Sequence, residues 1–239
     1  MKVELEQDRR NFLRMSTVVG AGMLLPQGGS LAAWGRSQEK AQEEKDEEVP
    51  ATEDLMREHG VLDRVLLIYE EVARRIAEKN MFDPKLVAKS AQVVRDFIEN
   101  YHEKDEEEFL FPRFEKAGKL VDLVTVLREQ HIAGRRVTDA IEGLATLSSL
   151  KSEPGRRRLL QNIHTFLRMY RPHAAREDTV LFPAFRSVVS PQEYDAIGEE
   201  MEKKEQQLFA GDGFEKAIDQ VAKIEKALGI YDLAKFTPR

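Results

Sequence analysis

HEKDEEEFLFPRF, from His102 to Phe114, and HAAREDTVLFPAF, from His173 to Phe185, are two copies of one pattern. At matched offsets from the histidine both carry Glu (Glu106, Glu177), Leu (Leu110, Leu181), Phe (Phe111, Phe182), Pro (Pro112, Pro183) and a second Phe (Phe114, Phe185). On a helix, a His and a Glu four positions apart are rotated by about 40° and displaced by about 6 Å along the axis, so both can reach one metal centre. The proline that follows is read as the end of each helix.

The repeat extends upstream. His59 in REHGVLDRV and His131 in REQHIAGRRV align with a shift of 72, which also superimposes Leu55 on Leu127, Arg64 on Arg136 and Val65 on Val137. The repeated unit is therefore a helical hairpin with one His on its first helix and His-x-x-x-Glu on its second. Two such hairpins make four helices, an all-α domain.

The 239 residues contain no run of 18 apolar residues, so one sizeable domain with an appendage is expected and no stable transmembrane span. A net charge of -6 excludes the basic surface that a nucleic-acid partner would require. The absence of Cys removes disulfides, thiolate metal sites and Cys nucleophiles together.

Residues 1–32 are read as an export signal of the twin-arginine type. DRRNFLR from Asp8 to Arg14 is similar to that motif, Met15 to Leu25 is weakly apolar, and Ser30-Leu31-Ala32 suits cleavage. This implies the twin-arginine export machinery as a partner and a periplasmic or cell-envelope location; an uncleaved anchor or a surface tail is the other reading. A charged linker spans 33–51.

Helix periodicity then places a bundle over 52–186. Leu55, His59, Leu62, Leu66, Tyr69, Ala73 and Ile76 form the first seam, with Asp83-Pro84 opening the second helix. The second seam is Ala91, Val94, Ile98, His102, Glu106 and Phe109. Leu120, Val124, Leu127, His131, Gly134, Thr138 and Ile141 form the third, and Leu159, Ile163, Phe166, Tyr170, His173 and Glu177 the fourth. Ser190-Pro191-Gln192-Glu193 is a capping box that starts a fifth helix, and Gly213 to Leu228 a sixth with Gly229 as its stop. These two make the C-terminal extension, 187–239.

Four of the five histidines fall on four separate seams, two of them with Glu at the fourth position. Lone seam histidines are usually core residues, but buried Glu is rare unless paired or metal-bound. His164, nine residues before His173, points away from the seam and serves as the internal contrast. Imidazole and carboxylate without thiolate suit iron, manganese or zinc. The simplest arrangement puts His59 and His102 on one ion and His131 and His173 on the other, with Glu106 and Glu177 bridging.

The order His, His-x-x-x-Glu, His, His-x-x-x-Glu, with LFP after each Glu, resembles the hemerythrin-like, HHE cation-binding family over about residues 52–186. The resemblance implies an up-down-up-down four-helix bundle and a non-haem diiron centre with two iron ions as cofactor, in a protein that binds, senses or reduces a small oxidant such as oxygen, peroxide or nitric oxide. Iron sequestration or a metal-dependent interaction without turnover is the alternative. Oxygen carriers of the family have a second His on the third helix, where this chain has Arg135, and Asp where it has Glu177; these departures point away from reversible oxygen carriage. Glu103 is a candidate terminal carboxylate, as in some divergent members, or else a solvated residue of the acidic run from Glu103 to Glu108. Asp63 is read as a ligand or as an acceptor orienting an imidazole. Arg135, a cation that cannot ligate, is expected to pair with a site carboxylate. Tyr101 and Tyr170 are read as packing with a polar tip, or as hydrogen-bond donors to a bound oxygen species. A conventional hydrolase finds no support, for the chain has no nucleophile elbow, phosphate loop or His-Glu-x-x-His helix.

Overall fold

The computed structural model describes residues 49–238. The export signal assigned to 1–32 and linker residues 33–48 lie outside the described residues. Helix α1 runs over Ala51–Ala77. Helix α2 spans 85–117 as a rod of alternating character, α-helical over Lys85–Val93, Glu103–Asp105 and Phe111–Ala117 and π-helical over Val94–His102 and Glu106–Leu110. Helix α3 is Val121–Leu144, and the short α4 is Leu147–Lys151. Helix α5 spans 153–185, with a π turn over Glu177–Leu181 between Glu153–Arg176 and Phe182–Phe185. Helices α6 (Pro191–Phe209) and α7 (Gly213–Leu228) follow, then a 3-10 turn at Leu233–Phe236. No strand occurs among the described residues.

Helices α1, α2, α3 and α5 form the bundle, α1 lying against α2 and α5, and α3 against the same two. Serine side chains cap two of the helix starts. Ser152 Oγ accepts from Gly155 N at the head of α5, and Ser190 Oγ from Glu193 N at the head of α6. Gly118, with φ of 64°, closes α2 in the left-handed conformation and lets α3 begin three residues later.

The two prolines do not end their helices. Before each, the helix widens by one residue. Phe111 N–H bonds back to Glu106 O, and Phe182 N–H to Glu177 O, in i to i-5 π geometry. Proline then enters the second position of a fresh α segment, where its missing N–H costs nothing. The extra residue also rotates the inward face. Leu110 is fully buried where the α-helical period had placed Phe109, which is only partly buried.

The core is split in two. One apolar cluster, including Leu62, Leu66, Tyr69, Ile98, Ile163 and Phe166, fills the loop end of the bundle and continues under α7. The other, including Leu55, Phe111, Phe114, Leu127, Phe182 and Phe185, plugs the opposite end and is capped by Tyr194, Ile197 and Met201 of α6. Between them lies a layer of buried His and Glu. Leu55 and Leu62 bracket His59 on α1, and Tyr101 and Leu110 bracket His102 and Glu106 on α2, so the polar layer is dry on both sides. The extension is tied down by charge as well as packing. Arg64 on α1 donates twice to Glu225 on α7, at 3.0 and 2.6 Å. Tyr194 OH accepts from Thr52 N at 3.2 Å, taking one of the open amides at the start of α1.

Candidate metal centre

All six residues of the repeated pattern meet in this layer. His59, His102, Glu106, His131, His173 and Glu177 are each at most 4% exposed. Their metal-binding atoms gather in overlapping groups, one of Glu106, His131, His173 and Glu177 and one of His59, His102 and Glu106. Within the first hairpin, His59 Nε2 and His102 Nε2 are 3.0 Å apart. Within the second, the rings of His131 and His173 have centroids 5.1 Å apart. The carboxylates span the two. Glu106 Oε2 is 3.8 Å from His102 Nε2 and 3.4 Å from His131 Nε2, and Glu177 Oε2 is 3.5 Å from His59 Nε2 and 3.1 Å from His173 Nε2. Each carboxylate thus touches one imidazole of each hairpin.

The outer nitrogens explain why the inner ones face one another. His59 Nδ1 lies 2.7 Å from Asp178 Oδ1, and His102 Nδ1 2.7 Å from Glu58 Oε2. His131 Nδ1 lies 3.1 Å from Glu107 Oε1, and His173 Nδ1 2.9 Å from Gln130 Oε1. Every Nδ1 meets an oxygen acceptor. In the neutral imidazole the proton therefore belongs on Nδ1 and the lone pair on Nε2 points into the layer. Phe182 stacks on His59 and Phe111 on His131, each with centroids at 5.5 Å, so the LFP phenylalanines wall the imidazoles as well as plug the bundle end.

Without an ion this layer is poorly satisfied. Both oxygens of Glu106, both of Glu177 and His131 Nε2 are buried with no hydrogen-bond partner, although nitrogens stand within salt-bridge distance of them. Those approaches join lone pair to lone pair unless an extra proton enters. At about 1–3 kcal/mol for each unsatisfied buried group, the layer costs several kcal/mol, which a bound cation would reverse. The donor set, four imidazoles and two acidic side chains converging with no amine or amide among them, fits a divalent metal pair.

The electrostatics show the same strain. Burial and the neighbouring Glu177 charge raise Glu106 to about 7. Burial pushes His102 well down and His173 to about 3. It would do so to His59 too, but the Asp178 hydrogen bond and the nearby Glu177 and Glu106 charges prevail and lift it to about 10; Glu103, Glu106 and Glu107 do the same for His131.

Glu103 is buried, not solvated, at 1% exposure. Its neighbours are Glu107 and His131, and both its oxygens are engaged. Oε2 accepts from Arg135 and Oε1 from Tyr170 OH, each at 2.8 Å. Arg135 pairs with site carboxylates as its charge suggests, holding Glu107 at 2.8 Å as well. Asp63 is exposed and belongs to none of the metal-capable groups; the acceptor that orients His59 is Asp178 instead. Tyr170 spends its hydroxyl on Glu103, and Tyr101 faces Glu58, whose pKa burial drives well up. His164 is exposed, as its register requires.

The sequence reading missed Glu58, Glu107, Gln130 and Asp178. The signal was present: each is the direct chain neighbour of a pattern residue, Glu58 and Gln130 before the first His of each hairpin, Glu107 and Asp178 after each Glu.

Comparison with known proteins gives the same outline. Residues 51–185 match the model of the Hemerythrin HHE cation binding domain, and residues 122–236 match it a second time. Uncharacterized protein Rv1995 of Mycobacterium tuberculosis (strain ATCC 25618 / H37Rv) is 44% identical over 231 residues, covering 96% of this chain and 91% of the relative. Uncharacterized protein Mb2018 of Mycobacterium bovis (strain ATCC BAA-935 / AF2122/97) is similar to the same extent, 44% identical with the same coverage. No solved structure matches the chain.

Proposed function

Because this chain belongs to the hemerythrin HHE cation-binding domain family, we propose that its polar layer holds two iron ions and that the protein binds, senses or reduces a small oxidant. The observation that carries this reading is the pair of carboxylates, each fully buried, without hydrogen-bond partners, and each within 4 Å of an imidazole from both hairpins. His59 and His102 would hold one ion and His131 and His173 the other, with Glu106 and Glu177 bridging. A bound iron pair supplies redox equivalents and open coordination positions for oxygen, peroxide or nitric oxide.

The chain's own residues do the rest. Asp178, Glu58, Glu107 and Gln130 fix the four imidazoles by their Nδ1 atoms, so the donors are pre-aimed. Phe111 and Phe182 keep water from two of the rings. When no ion is present, Glu106 can hold a proton near neutral pH and yields it when a cation arrives. Glu103, its oxygens already engaged by the Arg135 cation and the Tyr170 hydroxyl, serves in this reading as a reserve carboxylate beside the His131 half and not as one of the two bridges.

Export by the twin-arginine route into the periplasm or cell envelope is part of the same proposal. Its motivation is DRRNFLR at Asp8 to Arg14, and a folded, metal-loaded cargo suits that route. Fractionation of cells expressing the full chain and an Arg9→Lys, Arg10→Lys variant tests it, since export should be lost in the variant.

The site is tested by elemental analysis of protein from iron-supplemented cells, with absorption spectra before and after reduction and exposure to air. Two irons per chain with ferric bands that bleach on reduction and return with an oxidant support the reading. Iron that is bound but consumes no oxidant would turn it toward sequestration.

A further inference from the structure

The repeat makes the two halves of the centre equal in ligands but not in surroundings. Shifts of 71 or 72 positions superimpose Glu58 on Gln130, Glu107 on Asp178 and Asp63 on Arg135. Within the His59/His102 half, both Nδ1 atoms face carboxylates, Asp178 and Glu58, each at 2.7 Å. Among the described residues neither carboxylate is ion-paired with a Lys or Arg.

Within the His131/His173 half, His173 Nδ1 faces the neutral amide oxygen of Gln130 at 2.9 Å. His131 Nδ1 faces Glu107 at the longer distance of 3.1 Å, and that carboxylate is shared with Arg135 and Lys104. Glu103 does not restore the balance, for its two oxygens already accept from Arg135 and Tyr170. A carboxylate accepting the Nδ1 proton leaves more electron density on Nε2 than an amide does, and in the His59/His102 half no guanidinium or ammonium among the described residues draws the acceptors away from the imidazoles.

We infer that the two ions are held unequally, tightly by His59 and His102 and more weakly, exchangeably, by His131 and His173, and that Glu58 and Gln130 set the difference. This rests on the two-ion reading above. An ordered pair of this kind would let one ion stay resident while the other is gained or lost with supply.

The test is a titration of the chelator-stripped full chain with Co(II), followed by calorimetry and by visible absorption. Wild type should bind two ions in two resolved steps about 10- to 100-fold apart, the range over which such outer partners act on metal affinity. Gln130→Glu should tighten the weaker step alone and draw the two together, while Glu58→Gln should weaken the tighter step alone. Arg135→Gln is an independent check on a partly exposed residue, since freeing Glu107 should also strengthen the weaker step. Circular dichroism melts establish that each variant is folded. Two ions bound in one unresolved step, with the separation unmoved by Gln130→Glu and Arg135→Gln, would overturn the inequality and leave the two-ion site standing. Fewer than two ions in wild type would overturn both.

Discussion

Tyr170 reaches Glu103 only because residue 134 is glycine. A Cβ at Gly134 would stand 2.1 Å from the Tyr170 hydroxyl and 2.8 Å from Cζ, and the ring cannot swing aside because it is packed on Phe166 and His173. Gly134→Ala should therefore destabilise the protein by about 1–3 kcal/mol, despite alanine's better helix propensity. It should also break the 2.8 Å bond to Glu103. Urea unfolding of the variant checks the first. Tyr170→Phe, which removes the hydroxyl but not the ring, should rescue part of the loss when combined with it.

Glu106→Gln separates what the buried layer costs from what it binds. In the metal-free protein both Glu106 oxygens are buried and unpartnered, so replacing the acid by an isosteric amide should leave stability unchanged or raise it by about 1 kcal/mol. With metal present the order should reverse, because a bound ion stabilises only the form that can hold it. Thermal melts with and without added Fe(II) under anaerobic conditions check both halves, and a variant that is weaker in both states would show the carboxylate to be structural.

The bundle and the six inward His and Glu side chains were legible because helical period and repetition are local signals: a His every repeat on an apolar seam has one face to occupy. The π turns were not legible, since Pro112 and Pro183 look like stops, and only the widened backbone before them shows how the chain continues. The acidic run from Glu103 to Glu108 was equally opaque. Glu103, Asp105 and Glu106 are buried while Glu108 is exposed, and the partners that accommodate buried acids come from other helices, Arg135 and Tyr170 for Glu103 and Lys204 for Asp105, so a local window does not show them. Gln130 and Glu58 could have been found by carrying the 72-residue shift one position further upstream of each first histidine.

Lys204 shows that the C-terminal extension reaches the centre's flank. Its Nζ lies 2.7 Å from Asp105, which is fully buried beside Glu106, and 2.7 Å from Glu108. Lys204→Met leaves Asp105 buried without its cation. Because the lysine is itself partly exposed, the loss should be about 1–3 kcal/mol, below the usual cost of splitting a fully buried pair. Asp105→Asn in the same chain should recover part of it. A double-mutant cycle by urea denaturation measures the coupling, and a value near zero would mean that the extension only covers the bundle.

The stability of the metal-free protein depends on pH with a sign set by which groups hold their protons more firmly in the folded state. In the metal-free protein His59 and His131 are raised from 6.5 to about 10 by Asp178 and Glu177 and by Glu103, Glu106 and Glu107, against the opposing effect of burial. Burial raises Glu103 and Asp105 to about 7, as it does Glu106. Every one of these groups holds its proton more firmly folded than unfolded, so its stabilisation is complete below the unfolded pKa and is lost as pH rises through the folded one. His102 and His173 are shifted the other way and oppose this near 6.5, where they are still half protonated in the unfolded chain, but above about 7.5 both are neutral whether folded or not and add almost no slope. Between about pH 7.5 and 9 the terms therefore act in one direction, and the metal-free protein should lose stability steadily. Metal-loaded protein should hold its stability over the same range, because the ions occupy the place of the protons that the site would otherwise release. Urea midpoints measured at intervals of half a pH unit, with and without bound metal, check this; a metal-free midpoint that is flat or rising from about pH 7.5 to 9 would show that His59 and His131 are not held protonated by the surrounding carboxylates.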